Sequence, residues 1–367
     1  MTGLVRRRTV PPPRLAVPAL LAAALLTACG SATAGTSADE SGGTVSVVEP
    51  SEPVELRLGY FPNVTHATAI VGVEEGYFAD ALGDDVTLTT ATFNAGPAAI
   101  EALFSDAIDA TYIGPSPTVN GFVQSDGEAV RVIAGAASGG AFLMVREGIE
   151  SPEDLVGTTI ATPQLGNTQD VALRYWLTEQ GLTSDLAGGG DVAIAPQENS
   201  QILDAFASGA IDGAWVPEPN ATRLIEAGAT VLVDERDLWP DGRFVTTNLI
   251  INPAFLEEHP DVVRRLLEGQ VEATEWLNVN PEDAQTVVGD AIAELSGKPL
   301  PEGVIAKAWN NIEFTDDPIA SSLLEGAAHA AEVGTLEAGT PDLDGLYDLS
   351  LLNEILAERG MEKVVEP

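Results

Sequence analysis

Ile100-Glu-Ala-Leu-Phe104 leads through Ala107-Ile108-Asp109-Ala110 to Gly114-Pro115, and further on Ile202-Leu-Asp-Ala-Phe206 leads through Ala210-Ile211-Asp212-Gly213 to Pro217. Each stretch reads as a helix, a tight turn, a strand and a proline-marked loop at the strand's carboxyl end. Two readings fit. One is the ordinary look of any helix-to-strand connection. The other is a pair of similar α/β lobes, each carrying a functional loop beyond its strand.

Working outward, the same alternation fills most of the chain. Val54-Glu-Leu-Arg-Leu-Gly59 alternates apolar and charged residues as a strand does, a helix is expected over about 65–76, and a strand follows at 86–92. Further strands are expected near 109–113, 130–136, 158–161, 192–195, 213–216 and 230–233, with helices between them; after about Asn252 only helical signals remain. The fold class this implies is α/β, with mainly parallel sheets flanked by helices. In such sheets ligands bind outside the carboxyl ends of strands, so two facing lobes would enclose a cleft.

The N-terminus reads differently. Arg6-Arg7-Arg8 precedes an apolar run from Leu15 to Ala28 that is too short to span a bilayer, the pattern of a secretory signal over residues 1–28. Leu26-Thr-Ala-Cys29 resembles a bacterial lipobox, and Cys29 is the sole cysteine of 367 residues. A lipid on Cys29 would place the protein on the extracytoplasmic face of the cell membrane. Residues 29–53 are small and polar, as in a flexible tether. Cleavage before Cys29 leaves 13 basic residues (17 less four arginines) against 56 acidic ones, a formal charge of −43. Such a charge repels nucleic acid and anionic headgroups. With one cysteine there is no disulfide within the chain, and a monomer is expected.

Four loops carry the candidate binding residues. Ala161-Thr-Pro-Gln-Leu-Gly166-Asn167-Thr168-Gln169-Asp170 ends a strand and opens a helix, whose free N–H groups and dipole attract anions. Asn167 or Thr168 caps that helix, contacts a ligand, or both; Asp170 and Arg174 are spaced as an i,i+4 surface pair. Phe61, Asn63, Thr65 and His66 follow the first strand. Ser116 follows the strand ending at Ile113, and Ser138, Gly139 and Gly140 follow another, where glycine lets backbone approach a ligand. Trp215 and Glu218 sit beside prolines, as core and helix cap or as cleft wall and acceptor for an ammonium group.

Chemistry is less well supported. His66, His259 and His329 are far apart and lack metal-ligand spacing, and there is no nucleophile elbow, P-loop or dinucleotide-binding glycine fingerprint. No cofactor is expected. The lysines, Lys298, Lys307 and Lys363, all lie in the C-terminal part. A bound anion would be held by backbone dipoles and neutral donors, with arginine as the cationic help.

These segments, with Trp215-Val-Pro-Glu218-Pro and Thr246-Thr247-Asn248-Leu-Ile, resemble the solute-binding proteins of ABC importers for sulfonates, taurine and nitrate. The resemblance covers about 54–297. It implies a two-lobed periplasmic-binding-protein fold (type II-like): 54–142 as the first part of lobe 1, 143–245 as lobe 2, and 246–367 as a return to lobe 1 plus C-terminal helices. The crossings are expected near Gly140–Val145 and Phe244–Leu249. It also implies a small-molecule anion or zwitterion as ligand and an ABC permease as partner, with the acidic head near Ser116, Gly140, Asn167, Thr168 and Gln169. The absence of cleft lysines favours an organic sulfonate over nitrate. The alternatives are a binding protein or enzyme for a thiamine-precursor pyrimidine, and a ligand-sensing lipoprotein.

Overall fold

The computed structural model describes residues 53–336 and 341–365, which belong to one compact unit. The expected signal segment, Cys29 and nearly all of the tether lie outside the described residues. The first sheet contains β1 (Val54–Tyr60), β2 (Val86–Thr92), β3 (Ala110–Ile113), β4 (Arg131–Gly139), β10 (Val245–Ile251) and β11 (Ile312–Phe314), in the order β11-β4-β10-β3-β1-β2. The second contains β5 (Ala141–Arg146), β6 (Thr159–Thr162), β7 (Ala193–Pro196), β8 (Gly213–Pro217) and β9 (Ala229–Asp234), in the order β7-β6-β8-β5-β9.

The repeated Ala-Ile-Asp turn has one structural role in both sheets. β1 lies between β2 and β3, parallel to each, just as β6 lies between β7 and β8. The Asp109 N–H donates to Arg57 O at 2.8 Å, and the Arg57 N–H donates back to Asp109 Oδ2 at 2.8 Å. The Asp212 N–H donates to Thr159 O at 2.7 Å, and Thr159 N–H returns to Asp212 Oδ2 at 2.9 Å. Each aspartate thereby closes the open end of a parallel pair, satisfying a backbone donor that the ladder leaves free.

Beyond these units the sheets are mixed rather than mainly parallel. β10 runs antiparallel to both β3 and β4, and β5 runs antiparallel to both β8 and β9. These strands adjoin the crossings between sheets, where the chain reverses instead of returning through a helix. β11 is a further difference from the all-helical C-terminal expectation; three residues are too few to show a period of two.

Helices cover both faces of each sheet. Pro260–Val279 illustrates why: proline opens it, and Val263, Leu266, Leu267, Val271 and Leu277 form one apolar stripe against the first sheet. The opposite face of that sheet packs Ile100, Ile113 and Phe122 against Leu323 and Ala327. The second sheet buries Phe142, Met144 and Phe206 on one side, and Leu143, Trp176 and Trp215 on the other.

The chain leaves the first sheet at Gly139-Gly140 and re-enters it at Val245. Gly139 (φ +79°) and Gly140 (φ +72°) take a conformation that favours glycine. A Cβ on Gly139 would meet Asn311 O at 2.8 Å. Thr246 Oγ1 donates to Gly139 O at 2.6 Å, which ties the two crossings together. Further ties join helices of the second sheet to the C-terminal part. Asn311 Nδ2 donates to Glu218 Oε1 at 2.8 Å, Lys307 pairs with Glu226, and the Tyr175 ring stacks on His329 at 3.5 Å.

Candidate functional site

Strand ends of the two repeated units converge on one cavity of about 380 Å³, open solvent at its mouth included. From the first unit come Phe61, Asn63, Thr65 and His66 after β1, Asn94 to Gly96 after β2, and Gly114 and Pro117 after β3. From the second come Asn167, Thr168 and Gln169 after β6, Asn199 after β7, and Pro217 at the end of β8. Thr246 of β10 completes the lining.

The helix Thr168–Glu179 aims its N-terminus here. Asn167 Oδ1 accepts the Asp170 N–H at 2.9 Å, and its Nδ2 donates to Gln169 Oε1 at 3.0 Å. Asn167 therefore caps the helix while lining the cavity. The Asp170–Arg174 pair forms at its i,i+4 spacing but is fully buried, so the surface-pair alternative does not hold. Arg174 Nε donates to Asp170 Oδ2 at 2.9 Å, and Thr162 Oγ1 and the Gly166 N–H also donate to that carboxylate. An acid in the first turn would repel an anion, but Arg174 neutralises it. The first-turn N–H groups of Thr168 and Gln169 thus remain an anion-attracting end. A Cβ on Gly114 would lie 2.4 Å from Thr168 Oγ1, so the two units approach to van der Waals contact beside this helix start.

His66 faces the site as a neutral ring. The Phe61 N–H donates to its Nδ1 at 3.4 Å, the Phe61 ring stacks on it at 4.4 Å, and burial pushes its pKa down to about 3. With Nδ1 accepting, the proton sits on Nε2, leaving that nitrogen a neutral donor. Thr65 is buried alongside, and Asn63 begins the turn Val64–His66 without using its side chain as a cap.

Several predicted residues stand elsewhere. Ser116 is buried in the first turn of the helix Pro115–Gln124, where its neighbours Gly114 and Pro117 form the lining. Ser138 Oγ accepts the Phe244 N–H at 3.3 Å. Gly139 and Gly140 form the crossing, and their glycine character follows from backbone geometry and the proximity of Asn311 and Ile312.

Two readings are corrected. Trp215 lies inside β8, not beyond it, and is fully buried between Leu143 and Trp176; its Nε1–H donates to Glu235 Oε2 at 2.7 Å. It is core, not cleft wall. Glu218 is 1% exposed and its carboxylate is occupied by the Thr222 N–H (3.0 Å), Thr222 Oγ1 (2.9 Å) and Asn311 Nδ2. Burial pushes its pKa up and those hydrogen bonds pull it back. It caps the helix Asn220–Glu226 with both oxygens engaged inside the protein, and it does not line the cavity.

Asn94, Gly96, Asn199 and Thr246 were not anticipated. Asn94-Ala-Gly96-Pro97 has the same strand-end signature as the other loops, and Asn199 opens the helix after β7 as Gly96 opens the one after β2. Among the described residues no group of three or more His, Cys, Asp or Glu is placed to hold a metal, and no helix is long and apolar enough to cross a membrane.

The chain is 28% identical to the taurine-binding periplasmic protein of Escherichia coli over 292 residues, 78% of this chain and 86% of that protein. Among solved structures, the alkanesulfonate-binding protein of Xanthomonas axonopodis pv. citri bound to MOPS matches with a TM-score of 0.65 at 19% identity, covering 80% of this chain and 96% of that one. The nitrate-binding protein of Synechocystis PCC 6803 matches with a TM-score of 0.67 at 16% identity, covering 84% and 89%. Both likenesses place the paired sheets in the two-lobed periplasmic-binding-protein fold. The NMT1-like family matches residues 49–291, a span holding both repeated units and every loop of the cavity, and the chain belongs to that family.

Proposed function

We propose that this protein is the substrate-binding component of an ABC importer, capturing a small organic anion of the aliphatic sulfonate or taurine class between its lobes and delivering it to a membrane permease. The cavity itself carries the reading. Strand-end loops of two repeated units supply neutral donors around one helix N-terminus whose acid is already neutralised, a setting that favours reversible capture of negative charge. We assign ligand contact to Asn63, Thr65, His66, Asn167, Thr168 and Gln169 from the predicted set, with Asn94, Asn199 and Thr246 added.

Residues 54–142 with 246–367 form one moving body and 143–245 the other, with the Gly139-Gly140 and Val245 crossings as hinge. The lipid on Cys29 holds the protein at the outer membrane face near the permease, and it acts as a monomer. Capture leaves the ligand chemically unchanged, since a neutral His66 without a second titratable partner in the cavity is a poor acid–base catalyst.

The test is a thermal-shift panel of taurine, alkanesulfonates, nitrate and thiamine-precursor pyrimidines. A sulfonate or taurine is expected to raise Tm with concentration, because a ligand that binds only the folded state stabilises it. A shift with pyrimidines alone would move the assignment to that class, and recovery of altered ligand would make the protein an enzyme.

A further inference from the structure

Outside the inner cavity lies a wider one of about 1080 Å³, open solvent included, which shares Asn63, Asn94 and Asn199 with it. Two cations line this mouth. Arg223 comes from the helix Asn220–Glu226, packed on the second sheet, and Lys298 follows the helix Pro281–Ser296, packed in the core of the first. Among the described residues neither is in an ion pair, in a chain with 56 acidic residues to occupy 17 basic ones. Arg223 is half-buried. The one hydrogen bond of its side chain runs from Nη1 to Asn220 Oδ1 at 3.3 Å, and its buried Nε has no partner. Asp204 acts on it only through its charge. Glu198, at the neighbouring cavity wall, accepts from Ser200 Oγ at 3.4 Å. At the junction of the two cavities, Asn199 Oδ1 is buried and unpartnered.

Half-burying a guanidinium with an unsatisfied N–H is costly unless something fills the gap. A cation from each lobe, facing one space that continues into the anion-attracting helix start, provides two positive points at the two ends of one path. We propose that the mouth is a second anion subsite, and that the ligand is a small sulfonate bearing a second acidic group. One end would sit at Thr168–Gln169 and the other between Arg223 and Lys298. This deepens the binding-protein reading and rests on it. Lobe closure would bring both cations onto the same acid, so the second charge also favours the closed state.

The experiment measures dissociation constants of propanesulfonate and sulfopropanoate, a pair of equal chain length differing by one carboxylate, for the intact chain and for R223Q, K298Q and R223K. The wild type is expected to prefer sulfopropanoate by about tenfold at low salt. R223Q should cut that preference several-fold, the exposed Lys298→Gln by roughly two- to five-fold, and R223K should retain most of it. Equal affinity of the wild type for the two ligands overturns the proposal, as does a loss in R223Q that weakens both ligands alike. If neither ligand binds, the sulfonate reading fails and takes this one with it; if propanesulfonate alone binds well, only the second subsite fails.

Discussion

Asp170 accepts hydrogen bonds from Thr162, Gly166 and Arg174 with no exposure to solvent, and Arg174 is 2% exposed. Replacing Asp170 with Ala leaves the guanidinium buried without its counter-charge, held only by Asp185 O. The expected cost is about 3–5 kcal/mol in urea unfolding, far above the value of a surface i,i+4 pair. Glu235 makes a pH-dependent contribution. Burial raises its pKa from 4.5 to about 7, with Trp215 Nε1–H donating to it. Between those values the folded protein holds a proton that the unfolded chain has lost. Its stabilising contribution is therefore full below about pH 4.5 and is lost as pH rises through about 7, amounting to about 3 kcal/mol. The difference in stability between wild type and Glu235→Gln should change across that window and level off above it; a constant difference would contradict the assignment. Residue types in the Asn167 loop were legible because capping chemistry is local. Trp215 and Glu218 were not, because which way a side chain faces depends on partners far away in sequence: Leu143 and Glu235 for one, Asn311 for the other.

At the level of elements, the Gly139-Gly140 crossing has a testable asymmetry. A Cβ on Gly139 would strike the backbone oxygen of Asn311 at 2.8 Å, whereas one on Gly140 would meet the Ile312 side chain at 2.6 Å, and a side chain yields more readily than backbone. Both carry the cost of positive φ, so Gly139→Ala should cost about 1–3 kcal/mol more than an unstrained substitution and exceed Gly140→Ala in thermal denaturation. The helix–strand alternation and the Ala-Ile-Asp echo were readable because periodicity and turn chemistry are carried by neighbouring residues. Which strands run antiparallel was not, since β5 and β10 are paired by contacts across the whole chain. The loops after β2 and β7 escaped notice for a related reason: each is short, and only its place in a repeated unit marks it as part of the site.

For the molecule as a whole, charge sets the response to salt. The formal charge of −39 makes self-repulsion larger than any single surface pair. Pairs such as Arg264–Glu358 and Arg359–Glu272 are exposed and worth little, so screening them costs less than screening the net repulsion yields. Tm should rise from low to moderate sodium chloride; a fall would mean the surface pairs dominate.

The register of β4 and β10 has one more consequence. Val245 lies opposite Ser138, so the two ends of the segment that builds the second sheet start from adjacent strands. That segment is a continuous insert, whereas the first sheet is assembled from the stretches on either side of it, with β11 its last strand, and its core takes in the helix Ser350–Glu358. During synthesis the inserted half has all its strands once Asp234 has emerged. The half that surrounds it stays unfinished until the helix Ser350–Glu358 has emerged, so a chain cut before Ser350 keeps every strand of the inner half while removing a helix from the core of the outer one.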